Sequence, residues 1–559
     1  MHSFIRPDQF VALKLPSDQT RIVKLVPDTV VQLGKYGSFA ANQVIGRPFY
    51  LTFEIQDIPE SDGYQLRVVS ATELHAETLI EEAEADGEGD EPESDEGTPM
   101  RTNRQTVDDA STQRLTLQEI EELKKEAGGA GKEIVAKLLE SHSALDQKTA
   151  FSLAKYTLRK RKKYIKRFTI LPLDVGFLAN YMLEQKDASK TMELRDEHIG
   201  LLGCLGNVHH GGESAADALP SVKPNGRYLV VDETGGLVVA AMAERMGILY
   251  PRDNEDEEEQ EAEEQREDHP AAGDKSIEPQ GSGSNTRRKP PRPMSARGNT
   301  LTVVHASSQP NLSLLKYFGY DTNSPDPSHP LHTHLKTLSW LQLVDPGRDP
   351  ILSNEPPVMA QQEFAELKTS RRAAYLFKRN RWERVQKVVN EAREGGFDGL
   401  IVATLLEPAT VLKTLVPLLS GSAPVAVYSP TVEPLVGLMD LYSTGRRTAF
   451  INRKRDLDAQ KPLGQESADF SSLLEEFELD PTQLLPPSLQ TSRVRAWQVL
   501  PGRTHPLMME RGGAEGYLFH GIRVLPTTEH IQAAGNFRKK RKLEATSTPN
   551  SDRDVVMTS

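Results

Sequence analysis

A buried strand, a double-glycine turn and a helix follow one another between residues 228 and 246. The strand is the apolar run 228–232, Gly235 and Gly236 make the turn, and the helix covers 237–246. Further short apolar runs at 301–304, 400–403 and 425–428 alternate with helical patterns. Strands that alternate with helices predict a parallel α/β sheet.

The first 75 residues have a different pattern. Apolar runs only a few residues long are separated by turn residues, and they lie at 11–15, 22–25, 30–33, 49–55 and 66–69. Such short strands between turns are typical of a small antiparallel barrel or sandwich. The predicted fold class is therefore α/β with an N-terminal all-β part, a small β-barrel followed by a Rossmann-like domain.

The net charge of −13 conceals a basic remainder. Residues 77–96 carry −11 and residues 252–268 carry −9, which leaves +7 on the rest of the chain. Basic surfaces usually bind polyanions, so nucleic acid is the expected partner. The single cysteine, Cys204, excludes a disulfide framework and a cysteine zinc site, and no metal site is expected. No apolar run approaches the ~20 residues of a membrane helix, so no membrane partner is expected.

Composition divides the chain into segments. Acidic and polar stretches bury too little apolar surface to offset the entropy of ordering, and they are predicted to be disordered. The predicted units are the β-barrel 1–75, an acidic disordered linker 76–112, a helical basic linker 113–168, the Rossmann-like domain 169–526 with disordered insertions at 251–299 and about 456–490, and a polar tail 527–559.

Residues 155–167 hold 8 basic residues in 13, with Tyr156, Tyr164 and then Phe168 as possible stacking surface. Lys and Arg neutralise phosphates without reading sequence, which favours RNA or DNA contact over a solvated helix face or an import signal. The candidate contacts are Lys155, Arg159, Lys160, Arg161, Lys162, Lys163, Lys166 and Arg167, followed by Arg371, Arg372, Lys378, Arg379, Arg493 and Arg495. A cationic pentad at 538–542 favours nuclear import, and the nucleus is the expected location.

The turn after the 228–232 strand is where a Rossmann-type methyltransferase binds its nucleotide-like cofactor. A binding turn would read acidic-x-Gly-x-Gly-x-Gly, because the ligand needs glycine backbone close to it. The three glycine positions are occupied here by Thr234, Gly236 and Val238. We therefore expect a turn that maintains the fold without a ligand, and a working cofactor loop is the alternative.

Together these features resemble one family, the non-catalytic subunit of the tRNA 1-methyladenosine methyltransferase that acts on the T-loop adenine at position 58. The matching stretches are Ile5-Arg6-Pro7, the turn 33–39, Ile45-Gly46-Arg47-Pro48-Phe49, Lys155-Tyr156 with the basic run, 229–238, 398–403, 498–506, 512–513 and 516–518. The resemblance covers the folded parts of nearly the whole chain.

The resemblance implies an N-terminal β-barrel and a C-terminal Rossmann-like methyltransferase domain. It also implies a catalytic sister subunit of the same fold, which binds S-adenosylmethionine, and assembly as a dimer of heterodimers. In this interpretation the present chain contributes tRNA-binding surface, has no catalytic residue and binds no cofactor.

The strand at 398–403 supports a non-catalytic role. In the catalytic sister the matching strand resembles Asp-x-x-x-x-Asp-x-Pro, and its second Asp is catalytic. Here Asp398 matches the first acid, Ala403 stands at the second and Leu405 at the proline. Two other functions stay open from the sequence, an active methyltransferase with an atypical cofactor loop and a nuclear RNA-binding adaptor without a methyltransferase partner.

Overall fold

A computed structural model describes most of the segments that were expected to fold. The described residues are 3–17, 19–57, 64–74, 118–119, 131–142, 156–157, 160–161, 164–210, 226–250, 299–322, 329–359, 364, 367–459, 473, 475–492, 497–500, 503–506 and 515–525. The predicted linker 76–112, nearly all of the predicted insertion 251–299 and the tail 527–559 lie outside them.

Seven strands build the N-terminal part. They are β1 (Phe10–Lys14), β2 (Thr20–Lys24), β3 (Val30–Gln32), β4 (Ser38–Ala40), β5 (Thr52–Asp57), β6 (Tyr64–Val69) and β7 (Arg167–Leu171). Five of them form an antiparallel sheet in the order β2-β1-β7-β5-β6, while β3 and β4 pair separately. Within the described residues β2 and β6 stay at the edges, so the all-β part is present but the predicted closed barrel is not confirmed.

Strand β7 lies at the centre of this sheet although it comes about 100 residues after β6. It pairs with β1 on one side and with β5 on the other, and Phe53 stands opposite Phe168. The N-terminal sheet therefore extends to Leu171, past residue 168, the predicted end of the helical basic linker.

The core of this sheet is aromatic. The ring of Phe168 stacks on that of Phe39 with centroids 4.6 Å apart and on that of Phe53 at 5.6 Å, and all three are fully buried. The expectation that Phe168 offers stacking surface to a nucleic acid is therefore wrong. Its position on the central strand turns the ring into the core, where burial of an aromatic side chain stabilises the sheet by several kcal/mol.

The neighbouring Arg167 forms a buried ion pair. Its guanidinium donates to the Glu54 and Glu73 carboxylates at 2.9 Å, and Arg67 contacts the same two groups from the other side. Burial disfavours the charged form of Glu54, but the hydrogen bonds from Arg67 and Arg167 outweigh that effect and lower the pKa of this carboxyl.

A second, seven-stranded sheet forms the larger domain. Its strands are β8 (Arg227–Asp232), β9 (Thr300–His305), β10 (Leu335–Ser339), β11 (Gly399–Ala403), β12 (Pro424–Ser429), β13 (Ser488–Gln490) and β16 (Tyr517–Ile522), and the pair β14 (Trp497–Leu500) and β15 (Arg503–Pro506) stands apart. The order is β10-β9-β8-β11-β12-β16-β13, parallel except for β16. The strand order reverses between β8 and β11, as in Rossmann-like folds.

Helices cover both faces of this sheet. They are α2 (Val175–Gln185), α3 (Asp196–Leu205), α4 (Leu237–Met246), the short α5 (Leu331–His334), α6 (Trp340–Val344) and α7 (Pro350–Ser353), then α8 (Thr369–Glu394), α9 (Pro408–Leu415), α10 (Glu433–Leu441) and α11 (Thr444–Ala459), while α1 (Gly131–Glu140) precedes β7. Apolar side chains of α2, α3 and α4 fill the core on one face, and those of α8, α9 and α10 fill the core on the other. The predicted parallel α/β sheet is confirmed.

The predicted disordered insertion at about 456–490 is wrong where the structure describes it. Leu479 and Leu484 are buried in the core beside α10, and residues 488–490 form the edge strand β13. Arg447 on α11 donates to the carbonyl oxygen of Pro481 at 3.3 Å. The acidic and proline-containing composition of this segment predicted disorder. The few leucines that pack it against the core are too widely spaced to give a helix or strand pattern in the sequence.

Strands β1 and β2 of the N-terminal sheet contact the larger domain outside its sheet. Phe10 packs edge-to-face on Tyr317 with ring centroids 5.5 Å apart, and the Thr20 amide donates to Gln185 Oε1 at 2.8 Å. In the described part of the chain, no helix is both long and apolar enough to cross a membrane.

The buried ion pair generates a stability prediction. Replacing Arg167 by Ala removes one of the two cations that pair with Glu54 and Glu73, and water can replace it only in part because both carboxylates are largely shielded from solvent. The substitution is expected to lower the free energy of unfolding by about 3 kcal/mol. Urea unfolding followed by circular dichroism measures this change. Lys14→Ala, on the exposed side of β1, is the control and is expected to change stability by less than about 0.5 kcal/mol. Equal stability of the two variants would contradict the assignment.

Candidate cofactor turn and nucleic-acid interface

The candidate cofactor turn lies at the carboxyl ends of β8 and β11. These strands are adjacent and parallel, and Asp232 stands opposite Ala403. Ligands of open α/β sheets bind outside the carboxyl ends of the strands where the strand order reverses. Any cofactor chemistry of this domain would therefore use the residues that follow these two strands.

The Asp232 carboxylate is turned into the protein. It accepts hydrogen bonds from the backbone amide of Thr234 at 2.7 Å and from that of Val239 at 2.9 Å, and the Thr234 hydroxyl donates to it as well. The Thr234 oxygen in turn accepts from the Val238 amide at 3.2 Å. Asp232 and Thr234 thus satisfy the free N–H groups at the start of α4, the groups that would otherwise face an anionic ligand.

Burial and hydrogen bonding act in opposite directions on the pKa of the Asp232 carboxyl. Asp232 lies fully inside the protein, and desolvation raises its pKa, whereas the hydrogen bonds from Thr234, Val239 and Gly236 act in the opposite direction. A carboxyl in this setting has no free acceptor for a ribose hydroxyl.

The glycines of the turn face the chain's own backbone. Gly235 and Gly236 have φ of +74° and +91°, which favours glycine at both positions. The Leu314 amide donates to the Gly235 carbonyl oxygen at 3.0 Å, and a Cβ on Gly236 would come within 3.1 Å of Leu312 Cα. The segment 312–314 therefore covers the space above the glycines that a nucleotide would need.

The end of β11 carries no acid or base. Ala403 is fully buried and its carbonyl oxygen accepts from the Glu233 amide at 2.9 Å. Glu233 Oε2 accepts from the Leu405 amide at 2.8 Å, so this carboxylate fixes the loop after β11. Leu405 itself is 77% exposed, and its side chain offers only an apolar surface.

The end of β9 also lacks the acid that holds a ribose in nucleotide-binding folds. His305 stands there, and its Nδ1 lies 2.7 Å from the Ser307 carbonyl oxygen. Burial lowers the pKa of His305, which favours the neutral ring. Across β8, β9 and β11, the residues present do not fit S-adenosylmethionine. Among the described residues, no cluster of His, Cys, Asp or Glu is arranged to hold a metal ion.

The predicted basic run is only partly described. Lys160, Arg161 and Lys166 are half-buried, and Lys160 Nζ lies 4.9 Å from the centroid of the Tyr156 ring. Arg167 is buried in its ion pair with Glu54 and Glu73. The remaining candidates fall outside the described residues, namely Lys155, Arg159, Lys162, Lys163, Arg493 and Arg495.

On α8 the four predicted cations divide into two pairs. Arg379 is bound to Glu355 at 3.1 Å and to Glu383 at 2.7 Å. Arg372 donates to the Leu367 carbonyl oxygen at 2.8 Å. Arg371 and Lys378 are exposed. Intramolecular partners therefore occupy Arg372 and Arg379, and the other two present their charges to solvent.

Further exposed cations on α8 are absent from the sequence-based set of contacts. Arg381, Arg384 and Lys387 are all exposed, while Trp382 between them is buried and its indole N–H donates to the Leu352 carbonyl oxygen at 3.3 Å. At ~3.6 residues per turn the sequence places Arg371, Lys378 and Trp382 on similar faces, which fits a phosphate-binding face and an ordinary solvated helix equally well. The buried contact of Trp382, together with buried Val389, identifies the core stripe of the helix. Arg384 and Lys387 lie on the opposite side, Arg381 lies beside the core stripe, and these three cations form the exposed basic face.

A family model and several named relatives match this chain over most of its length. The model of the Gcd10p family matches residues 4–368. A protein of Aspergillus fumigatus named tRNA (adenine(58)-N(1))-methyltransferase non-catalytic subunit trm6 is 63% identical over 98% of this chain and 96% of its own length. The same name belongs to a Schizosaccharomyces pombe protein that is 30% identical over 98% and 97% of the two chains. A mouse relative with this name is 26% identical over 78% and 76%.

Two solved structures are distantly similar. A SAM-dependent O-methyltransferase from Thermotoga maritima covers 94% of this chain and 97% of its own with 9% identity and a TM-score of 0.34. The tRNA (m1A58) methyltransferase TrmI from Aquifex aeolicus gives the same identity and TM-score over 94% and 100%. The strand order of the seven-stranded sheet identifies the larger domain as Rossmann-like.

The turn geometry predicts a structural role for Asp232. Asp232→Ala removes the acceptor of the Thr234 and Val239 amides and is expected to lower the free energy of unfolding by about 2 kcal/mol. Asp232→Asn retains one acceptor oxygen and is expected to cost less. Urea unfolding measures both changes. Glu407→Ala is the matched control, because Glu407 also precedes a helix but makes no capping bond. A stable Asp232→Ala protein would show that this carboxylate does not hold the turn.

Proposed function

The chain belongs to the Gcd10p family, and from this membership we propose that it is the non-catalytic, tRNA-binding subunit of a methyltransferase complex that forms N1-methyladenosine at position 58 of tRNA. Relatives that span nearly the full length carry this subunit name. The chain itself is not the catalyst. We propose that a catalytic partner subunit binds S-adenosylmethionine and supplies the acid–base chemistry.

The closed turn after β8 is the observation that carries the non-catalytic part of this proposal. The Asp232 carboxylate and the Thr234 hydroxyl satisfy the start of α4, and residues 312–314 lie over the glycines. Ala403 at the end of β11 can neither accept nor donate a proton through its side chain. Within its described residues the domain thus has a Rossmann-like sheet, but the ends of β8 and β11 provide neither a cofactor-binding turn nor a catalytic base.

The exposed basic face of α8 supports the RNA-binding part. Arg381 and Arg384 lie about one turn apart on the solvent side of this helix, and Lys387 follows. Cations in this arrangement neutralise phosphates and release counterions, which raises affinity without dependence on sequence. The target adenine is held within the folded tRNA, so an enzyme must bind the body of the molecule while it exposes the base. A second subunit with its own phosphate contacts serves that need.

We further propose that the complex is a dimer of heterodimers and that it acts in the nucleus. The cationic pentad at 538–542 fits an import signal. Size-exclusion chromatography with light scattering on the complex tests the first point, and imaging of a tagged chain with the pentad replaced by alanines tests the second.

Reconstitution tests the proposed function directly. The chain, a catalytic partner subunit and both together are incubated with labelled S-adenosylmethionine and a tRNA transcript that has adenine at position 58. Methyl transfer is expected only with both subunits, and a transcript with guanine at that position is the control. Isothermal titration of this chain alone with S-adenosylmethionine is expected to show no binding.

The alternatives give different results in the same experiment. Methylation by this chain alone would overturn the proposal and indicate an active enzyme with an atypical cofactor loop. Tight tRNA binding without any association with the catalytic partner would instead indicate an RNA-binding adaptor.

The exposed basic face of α8 generates a second prediction for the assembled complex. Reversal of two charges, Arg381→Glu with Arg384→Glu, is expected to weaken tRNA binding about tenfold and to lower the slope of log K against log salt by about one for each phosphate that is no longer neutralised. Lys454→Glu with Arg455→Glu on α11 is the matched control, because these exposed cations change the net charge by the same amount. Equal weakening by both pairs would show that only total charge matters.

A further inference from the structure

Two short motifs that the proposed function leaves unexplained meet at the surface of the N-terminal sheet. The Ile5 amide donates to the Arg47 carbonyl oxygen at 2.9 Å, and the Gly46 amide donates back to the Ile5 carbonyl oxygen at 2.8 Å. Phe4 stands opposite Pro48 in an antiparallel bridge. Residues 3–6 and 45–50 therefore form one backbone unit, although some 40 residues separate them in sequence.

The unit buries one set of side chains and exposes another. Ile5 and Phe49 are buried in the N-terminal core. Phe4 is 55% exposed and Tyr50 is 70% exposed, although aromatic rings in folded proteins are usually largely buried. The exposed rings make no aromatic pair within the described residues, so the internal packing of the sheet does not account for them.

Tyr50 also has a strained backbone. Its φ is +68°, a conformation that bulky residues rarely adopt. The Tyr50 amide donates to the Ile170 carbonyl oxygen at 2.8 Å, and the buried Phe49 ring precedes it. These contacts hold the backbone in place without using the Tyr50 ring. A tyrosine that is costly to the backbone and leaves 70% of its surface exposed points to a role outside the fold.

The two segments that carry the rings contain two arginines and no acidic residue. Arg47 is exposed beside Pro48, and its Nε donates to the Gln43 carbonyl oxygen at 2.8 Å, which fixes the side chain near its base. Arg6 is half-buried at the other motif. The nearest acid along the chain, Asp8, lies 3.4 Å from Lys24. An exposed cation and two exposed rings on one backbone unit are the side chains that stack on unpaired bases and neutralise the adjoining phosphate.

From these observations we propose that Phe4, Arg47 and Tyr50 form a platform that binds unpaired nucleotides of the tRNA. The proposal rests on the proposed function and deepens it. Exposing an adenine inside a folded tRNA unstacks neighbouring loop bases, and a platform of aromatic rings replaces the stacking that those bases give up. The basic face of α8 contributes phosphate contacts, and the platform contributes stacking.

The composition of the surface favours RNA over a protein partner. Within segments 3–6 and 45–50 the other exposed residues, apart from Arg47, are Ser3, Gly46 and Pro48, and the aliphatic side chains of Ile5 and Ile45 are buried or half-buried. A stable protein interface usually buries about 800 Å² per partner around an apolar centre. Two rings and one cation on a small polar surface match the needs of one or two stacked bases.

The test uses the complex of both subunits and tRNA transcripts. Tyr50→Gly removes the ring and relieves the positive φ, so it is expected to weaken tRNA binding about tenfold while the melting temperature stays equal or rises. The salt slope is expected to stay unchanged because every phosphate keeps its cation. Phe4→Ala is expected to weaken binding as well, whereas Tyr50→Phe keeps the ring and wild-type affinity. Val30→Ala, another exposed apolar residue of this part of the fold, is the control.

Two RNA probes of equal length distinguish stacking from general affinity. Tyr50→Gly is expected to weaken binding to a single-stranded oligonucleotide and to leave binding to a blunt duplex unchanged. Equal reductions on both probes would overturn the stacking proposal. Unchanged tRNA affinity together with reduced recovery of the catalytic subunit would overturn it as well and assign this surface to a protein interface.

The proposal and the proposed function fail in different ways. If Tyr50→Gly and Phe4→Ala bind tRNA like the unaltered complex while charge reversal on α8 weakens binding, the platform is wrong and the subunit function stands. If the unaltered complex does not bind tRNA, the subunit function itself is wrong.

Discussion

The hydrogen bonds of one buried carboxylate hold the centre of the larger domain together. Asp232 ends the strand next to the point where the sheet reverses, and it caps the helix that follows. The strand, the turn and the helix α4 therefore keep their relative positions without a ligand. In a cofactor-binding domain the same N–H groups face the ligand, and the bound ligand supplies their hydrogen-bond acceptors. Here the protein's own side chains complete the turn, and the fold does not depend on a bound nucleotide.

Local patterns in the sequence predicted the elements that are fixed by nearby residues. The strand before Gly235 and the helix after Gly236 lie within one residue of the expected bounds, because an apolar run and a glycine turn specify them without distant partners. The roles of Arg167 and Phe168 were not predictable in this way. Their partners Glu54 and Phe53 lie more than 100 residues earlier, and a cation beside a basic run has the same appearance whether it faces solvent or a buried acid.

The roles of the cations on α8 also depend on tertiary contacts that local sequence patterns do not show. The basic content of α8 was evident from composition, but the choice between its cations depends on which stripe of the helix enters the core. Trp382 and Val389 settle that choice once their burial is known. Arg379 pairs with Glu355 and Glu383, whereas Arg381, Arg384 and Lys387 are exposed. The strained Tyr50 had no sequence signal at all, because a positive φ at tyrosine contradicts the usual preference of that residue.

The central position of β7 has a consequence for how the protein is made. The N-terminal sheet cannot be completed until β7, which ends at Leu171, has been synthesised and has left the ribosome. Until then β1 and β5 lack the strand that pairs with both of them. When β7 inserts between β1 and β5, both ends of the segment that connects β6 to β7 are held on the same sheet. The entropy cost of closing a long connection rises only slowly with its length, so insertions or deletions between β6 and β7 are expected to change the stability of the sheet little.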